Sequence, residues 1–204
     1  MASNVSIANR ALTKLGASRI LSLADASAQA RTINSMFEDV RDSELRRYRW
    51  KFAMKRASLS ALVQAPPWGY ELQYPLPSDC LHLVQVNDYY VRGSVGQPTW
   101  AVEGGRILCN FAAPLRIRYV SRVTDPTLFD PLFAEMFACK LAWEACEPIT
   151  QSNQKKADMR DEYKFARDEA MRQDAIENPP DALPDGSWLA AREGDSSYGY
   201  VGGA

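Results

Sequence analysis

The sequence predicts an α+β fold: a four-helix bundle, two helices N-terminal and two C-terminal, with a small antiparallel β-sheet inserted between the pairs and an extended C-terminal tail. Three observations predict it. Apolar residues recur at helical spacing in two stretches near the start and two later ones. Between residues 70 and 123 the pattern changes to short alternating runs punctuated by Gly and Pro. Beyond Asn178-Pro179-Pro180 no periodic apolar pattern remains. The expected organisation is a discontinuous helical bundle over 1–64 and 130–176, a β domain over 70–123 and a tail over 177–204. A chain of 204 residues, 46% apolar, suffices for one domain with an appendage.

The first helix spans 3–15. Ser3 or Asn4 can cap it, and Ile7, Ala8, Ala11, Leu12 and Leu15 share one face. Gly16 suits the left-handed position that closes a helix. The connection 17–26 holds Ile20, Leu21 and Leu23 and should pack rather than dangle. Ser27 opens a longer helix whose stripe is Ala30, Ile33, Met36, Phe37, Val40 and Tyr48. Glu44 falls within that stripe, so it must be paired or face solvent or another subunit. The helix is expected to end near Trp50 to Met54, before Ala65-Pro66-Pro67.

Tyr70 to Tyr74 alternates as a strand does, and Pro75 to Asp79 is a turn. Cys80 to Val91, Thr99 to Glu103, Arg106 to Phe111 and Leu115 to Val123 complete one sheet of four or five strands. Gly104-Gly105 marks a hairpin. The third helix, 130–147, has Asp130 as cap and Pro131 at its first position. Leu132, Phe133, Met136, Phe137, Cys139, Leu141, Trp143 and Cys146 wrap most of its circumference, which places it at the bundle centre. The fourth, 151–176, has one apolar stripe of Met159, Tyr163, Ala166 and Ala170, and an Asp168–Arg172 pair one turn apart. The tail holds five of the eleven glycines yet keeps Trp188, Leu189, Tyr198 and Tyr200, the composition of a segment that orders on a partner.

Lys and Arg number 24 against 25 Asp and Glu. So balanced a chain does not depend on non-specific nucleic-acid binding, which demands strong basicity. No apolar run reaches the roughly 18–20 residues of a membrane span, and the start lacks a basic-then-apolar leader, so synthesis in the cytoplasm is expected. Cys80, Cys109, Cys139 and Cys146 lack metal-binding spacing, and His82 is the single histidine. The cysteines read as small buried apolar residues. Phosphate-binding loops, dinucleotide fingerprints, nucleophile elbows and zinc-protease motifs are missing. Neither a catalytic role nor a metal or cofactor is expected. His82 reads as a structural strand residue. Asp158, Asp161 and Glu162 with Lys155 and Lys156 form a solvated helix face.

The sharpest charge feature is the run Arg41, Arg46, Arg47, Arg49, Lys51, Lys55 and Arg56, against only Asp42 and Glu44. It can contact DNA phosphates, pair with acidic residues of a neighbouring subunit, or be a solvated helix end favoured by the helix dipole. A helix-turn-helix over 3–50 is disfavoured, because the connection of about ten residues exceeds the 3–4 of that motif.

Four segments carry a resemblance. They are Ala8-Asn9-Arg10-Ala11-Leu12-Thr13-Lys14-Leu15-Gly16-Ala17 with Ile20 and Leu23, Arg49-Trp50-Lys51-Phe52-Ala53, Tyr74-Pro75-Leu76-Pro77-Ser78-Asp79-Cys80-Leu81, and Asp185-Gly186-Ser187-Trp188-Leu189-Ala190-Ala191-Arg192. In this order they resemble the head-to-tail adaptor family of tailed phages, whose short-tailed members are called tail tubular protein A. The resemblance implies a non-enzymatic virion protein of the neck. It would form a homo-oligomeric ring, typically of about twelve copies, beneath the portal protein. The ring continues the DNA channel and supports a tail nozzle, similar to tail tubular protein B, or a stopper protein; DNA passes without sequence-specific binding. Trp188, Leu189, Arg192, Tyr198 and Tyr200 would then bind the portal or a neighbouring subunit. Arg46, Arg47, Arg49, Lys51, Lys55 and Arg56 would supply DNA-channel or intersubunit charge. The alternative is a DNA-binding packaging accessory protein acting through residues 41–56.

Overall fold

A computed structural model describes residues 2–87, 89–90 and 100–177. The fold is α+β. Helix α1 (Asn4–Leu15) is fixed by a reciprocal capping box between Ser3 and Ser6 and closed by Gly16 at φ 73°. Helix α2 (Ala28–Arg47) starts on the Ser27 hydroxyl, which accepts from the Ala30 N–H. Helices α3 (Pro131–Thr150) and α4 (Asn153–Ile176) follow the β region, capped by Asp130 and Ser152. α3 packs against α1, α2 and α4, and eleven of its residues are buried, from Phe133 to Cys146. This matches its nearly all-round apolar sequence. It also outlasts its expected end. The turn containing Pro148 is closed by the Thr150 hydroxyl donating to the Cys146 carbonyl (2.7 Å) and the Gln151 N–H to the Glu147 carbonyl (3.0 Å).

α2 stops at Arg47, earlier than its sequence suggests. Tyr48 is extended (φ −137°), and the chain turns so that Trp50 enters the core. There the Trp50 indole sits 5.1 Å from Phe133, edge to face, and its Nε1–H donates to the Glu44 carbonyl at 2.9 Å. A single turn of 3-10 helix (Lys51–Ala53) then feeds strand β1 (Met54–Leu59). This strand lies where the sequence suggested the end of a helix and its trailing segment. Its six residues carry two cations and little alternation, so only pairing with a partner strand reveals it.

The remaining strands are β2 (Leu72–Pro75), β3 (Cys80–Val86), β4 (Tyr89–Tyr90), β5 (Trp100–Glu103), β6 (Arg106–Cys109) and β7 (Leu115–Ser121). They form two antiparallel sheets rather than one, in the orders β1-β7-β3-β4 and β2-β6-β5. Leu115, Ile117 and Tyr119 of β7, Leu83 and Val86 of β3, Tyr74 of β2 and Ile107 and Cys109 of β6 share a second core. The alternating strands each present one apolar face, and burying those faces against each other requires two layers. Gly104 and Gly105 join β5 to β6 with φ of 54° and 74°, the pair of left-handed residues a tight hairpin needs.

The two cores meet along β7 and β3. Val120 and Val84 belong to the helical core, whereas Tyr119 and Leu83 next to them belong to the sheet core. Strand alternation thus makes one sheet serve both layers.

Candidate functional site

Most cations of the basic run are engaged within the chain, while Arg46, Arg47, Arg49, Lys55 and Arg56 all stay exposed. Arg41 is buried, with Nε 2.9 Å from Asp42 and a guanidinium nitrogen 3.8 Å from Glu38. Arg46 donates to the Leu81 carbonyl. Arg47 lies 3.3 Å from Glu44, Lys51 3.5 Å from Glu177, and Lys55 2.8 Å from Asp79. Arg41 and Arg47 pair within α2, whereas Arg46, Lys51 and Lys55 reach other parts of the fold. Arg49 and Arg56 remain exposed, without an acidic partner at ion-pair distance among the described residues.

Arg56 is instead part of a different constellation. In the β1–β7 register it stands opposite Arg118, and Ser58 stands opposite Arg116. On the other side of β7, Gln85 is the register partner of Arg118. Asn87, at φ 50°, caps the row: its N–H donates to the Arg116 carbonyl at 2.7 Å and its side-chain oxygen accepts from the Arg116 N–H at 3.1 Å. Arg56, Ser58, Gln85, Asn87, Arg116 and Arg118 line an open groove of about 380 Å³. The alternation Leu115-Arg116-Ile117-Arg118-Tyr119 puts the apolar residues inside and both arginines on the outer face. Arg116 and Arg118 escaped the sequence analysis as site residues. Their alternation could have flagged them, but their meeting with Arg56 depends on strand register.

The sequence marker around Pro75–Leu81 acquires a structural explanation. The buried Tyr74 hydroxyl donates to the Phe111 carbonyl at 2.6 Å. Asp79 accepts from Lys55 (2.8 Å) and from the Tyr119 hydroxyl (3.0 Å), while its carbonyl accepts from the Arg122 N–H (2.6 Å). Burial opposes the Asp79 charge, but these two bonds outweigh it and hold its carboxyl below the usual carboxylate range. Burial and Asp79 together push the Tyr119 hydroxyl up to about 12.

Three other groups carry chemically capable side chains. Glu135, Cys139 and Glu162 bring their ligand atoms within 4.8 Å of one another. The Lys14 ammonium already fills that space, 2.8 Å from Glu135 and bonded to Glu162. Burial disfavours its charge, yet the two carboxylates more than compensate and hold its pKa above the usual lysine value. Burial also raises the Cys139 thiol to about 11, so it is protonated at neutral pH. The cluster pins α1 to α3 and α4. Partial burial, with the nearby Arg46 and Arg49, lowers the pKa of His82, on β3. Glu44 is fully buried and accepts from the Tyr163 hydroxyl at 3.0 and 2.9 Å, which answers how a carboxylate sits in the α2 stripe. The predicted tail contacts Trp188, Leu189, Arg192, Tyr198 and Tyr200 lie outside the described residues.

No protein-family model matches the chain, and no curated protein sequence matches it either. Among the described residues no helix is long and apolar enough to cross a membrane.

Proposed function

We propose that this chain is a structural, non-catalytic component of a phage neck. It would be a head-to-tail adaptor whose copies pack side by side in a ring, join the portal protein to the tail nozzle and continue the DNA channel. One observation carries the reading: four segments resemble those of the adaptor family and stand in the same order, and the two central ones sit at the seams of the fold. Trp50 seals the helical core where the chain passes into β1, and Asp79 clamps β1 to β7. Two surface features support lateral assembly. Val63 and Trp68 protrude from the β1–β2 connection, and Phe165 and Ile176 from the outer face of α4. Exposed apolar side chains suit subunit contacts.

The alternative, a DNA-binding accessory acting through residues 41–56, has less support. Most cations of that run are engaged within the chain.

The deciding experiment mixes the full-length protein with the portal ring of its phage and measures the mass of the complex, with and without residues 178–204. A ring-sized increment that disappears on truncation supports the adaptor reading and places the anchor in the tail. No increment with the full-length chain removes the portal as partner.

A further inference from the structure

We infer that the outer face of the β1-β7-β3 strands is a phosphate-backbone site for duplex nucleic acid, centred on Arg56 and Arg118. Like charges directly opposite on neighbouring strands destabilise a sheet. Arg56 and Arg118 are such a pair, and among the described residues neither has an acidic side chain at ion-pair distance. A folded chain that keeps this repulsion on a polar face gains most when an anion lies across both guanidiniums. Arg116, two residues along β7 on the same face, extends the row by about 6.6 Å, two strand residues.

The character of the groove selects the ligand. Its other polar side chains are Ser58, Gln85 and Asn87, which are neutral and able to donate. It is open rather than enclosed, which suits a polymer lying across it and not a small anion swallowed whole. A protein-docking surface would be expected to present an aromatic or apolar anchor; the two apolar residues of the lining, Ala57 and Ile117, pack into the sheet core instead. Single-stranded nucleic acid would want aromatic platforms for its bases, and among the described residues that line the groove none is aromatic. Duplex phosphates need only cations and donors. This site differs from the 41–56 segment, since it takes one residue from that segment and two from β7. It also stands apart from the adaptor reading, because its test requires no portal.

The test is fluorescence anisotropy of a labelled duplex of about 20 base pairs with the full-length protein, over a salt series. With two to three phosphates contacted, the logarithm of the association constant should fall with a slope of about −2 to −3 against log salt, a loss of roughly 15–60-fold between 50 and 200 mM. The double variant Arg56→Gln/Arg118→Gln should bind at least tenfold more weakly at 50 mM and lose about 2 from the slope. Arg160→Gln/Arg172→Gln, with the same charge change on exposed positions of α4, should behave as wild type. Arg56→Lys/Arg118→Lys keeps the charges and should keep the slope, which separates phosphate contact from damage to the sheet. The glutamine variant should melt no lower than wild type, because it removes a repulsion. Absence of binding by the wild type at 20 mM salt would overturn the assignment, as would equal losses in both glutamine variants. Displacement of the duplex by tripolyphosphate at equal phosphate concentration would also overturn it, in favour of a small-anion site.

Discussion

Removing the Tyr163 hydroxyl, by Tyr163→Phe, should destabilise the protein by about 2 kcal/mol. Glu44 is fully buried and both of its oxygens accept from that hydroxyl, at 3.0 and 2.9 Å. Its other partner is Arg47, at 3.3 Å and half exposed. Phenylalanine keeps the ring, which stacks on Trp143 at 5.7 Å and lies under the Lys140 ammonium, so the packing contribution cancels. What is lost is a hydrogen bond to a charged group, about 1.5–3 kcal/mol, with a carboxylate left short of partners. In a chain of this size that corresponds to a fall in Tm of about 4–8 °C. Glu44→Gln retains an acceptor while discharging the buried group. A double-mutant cycle measured by urea unfolding should therefore show the two changes coupled by at least about 1 kcal/mol. A Tyr163→Phe variant within about 0.5 kcal/mol of wild type, a typical surface-substitution effect, would refute the claim that this bond is what lets Glu44 sit in the core.

Other outcomes are expected from the same contacts. The Tyr119 hydroxyl is raised to about 12 by burial and Asp79, and Tyr163 is also raised by burial and Glu44, so both stay protonated in the folded protein after the unfolded chain ionises near pH 10. Their stabilisation is complete below pH 10 and should drain away above it; unfolding midpoints from pH 9 to 11.5 should fall less steeply in Tyr119→Phe. Asp79 has the opposite sign. Its lowered pKa gives stability present above pH 3.8 and lost as the pH falls further, so Asp79→Asn should blunt the acid limb of the same profile. Iodoacetamide applied to the native protein should modify Cys80 first, since Cys109, Cys139 and Cys146 are buried; mass spectrometry showing early Cys139 adducts would contradict the packing of α3 on α4. Gly105→Ala has open space around it, so its cost of about 1 kcal/mol should come from the left-handed backbone alone, with Gly105→Asn costing less.

The sequence by itself determined the parts whose cause is local. Ser3, Ser27, Asp130 and Gly16 mark helix ends because a cap satisfies nearby backbone groups. The apolar wrapping of 132–146 marks α3 as central because a helix apolar all round can only be buried. Gly104-Gly105 marks a hairpin through its backbone freedom. Glu44 announced that it needed a partner, but not which one: Tyr163 lies 119 residues away. Tertiary structure alone decided the rest. β1 exists because β7 offers it six register partners, and a short cationic segment has no strand signature without them. The division into two sheets follows from burying two sets of inward side chains. The basic run was contiguous in sequence, and folding buried Arg41 and engaged Arg46, Arg47, Lys51 and Lys55, because each cation's fate depends on the carboxylate or carbonyl that packing brings to it. The Arg56–Arg118 pair is the converse: 62 residues apart in the chain, they became neighbours through antiparallel register, which no local pattern encodes.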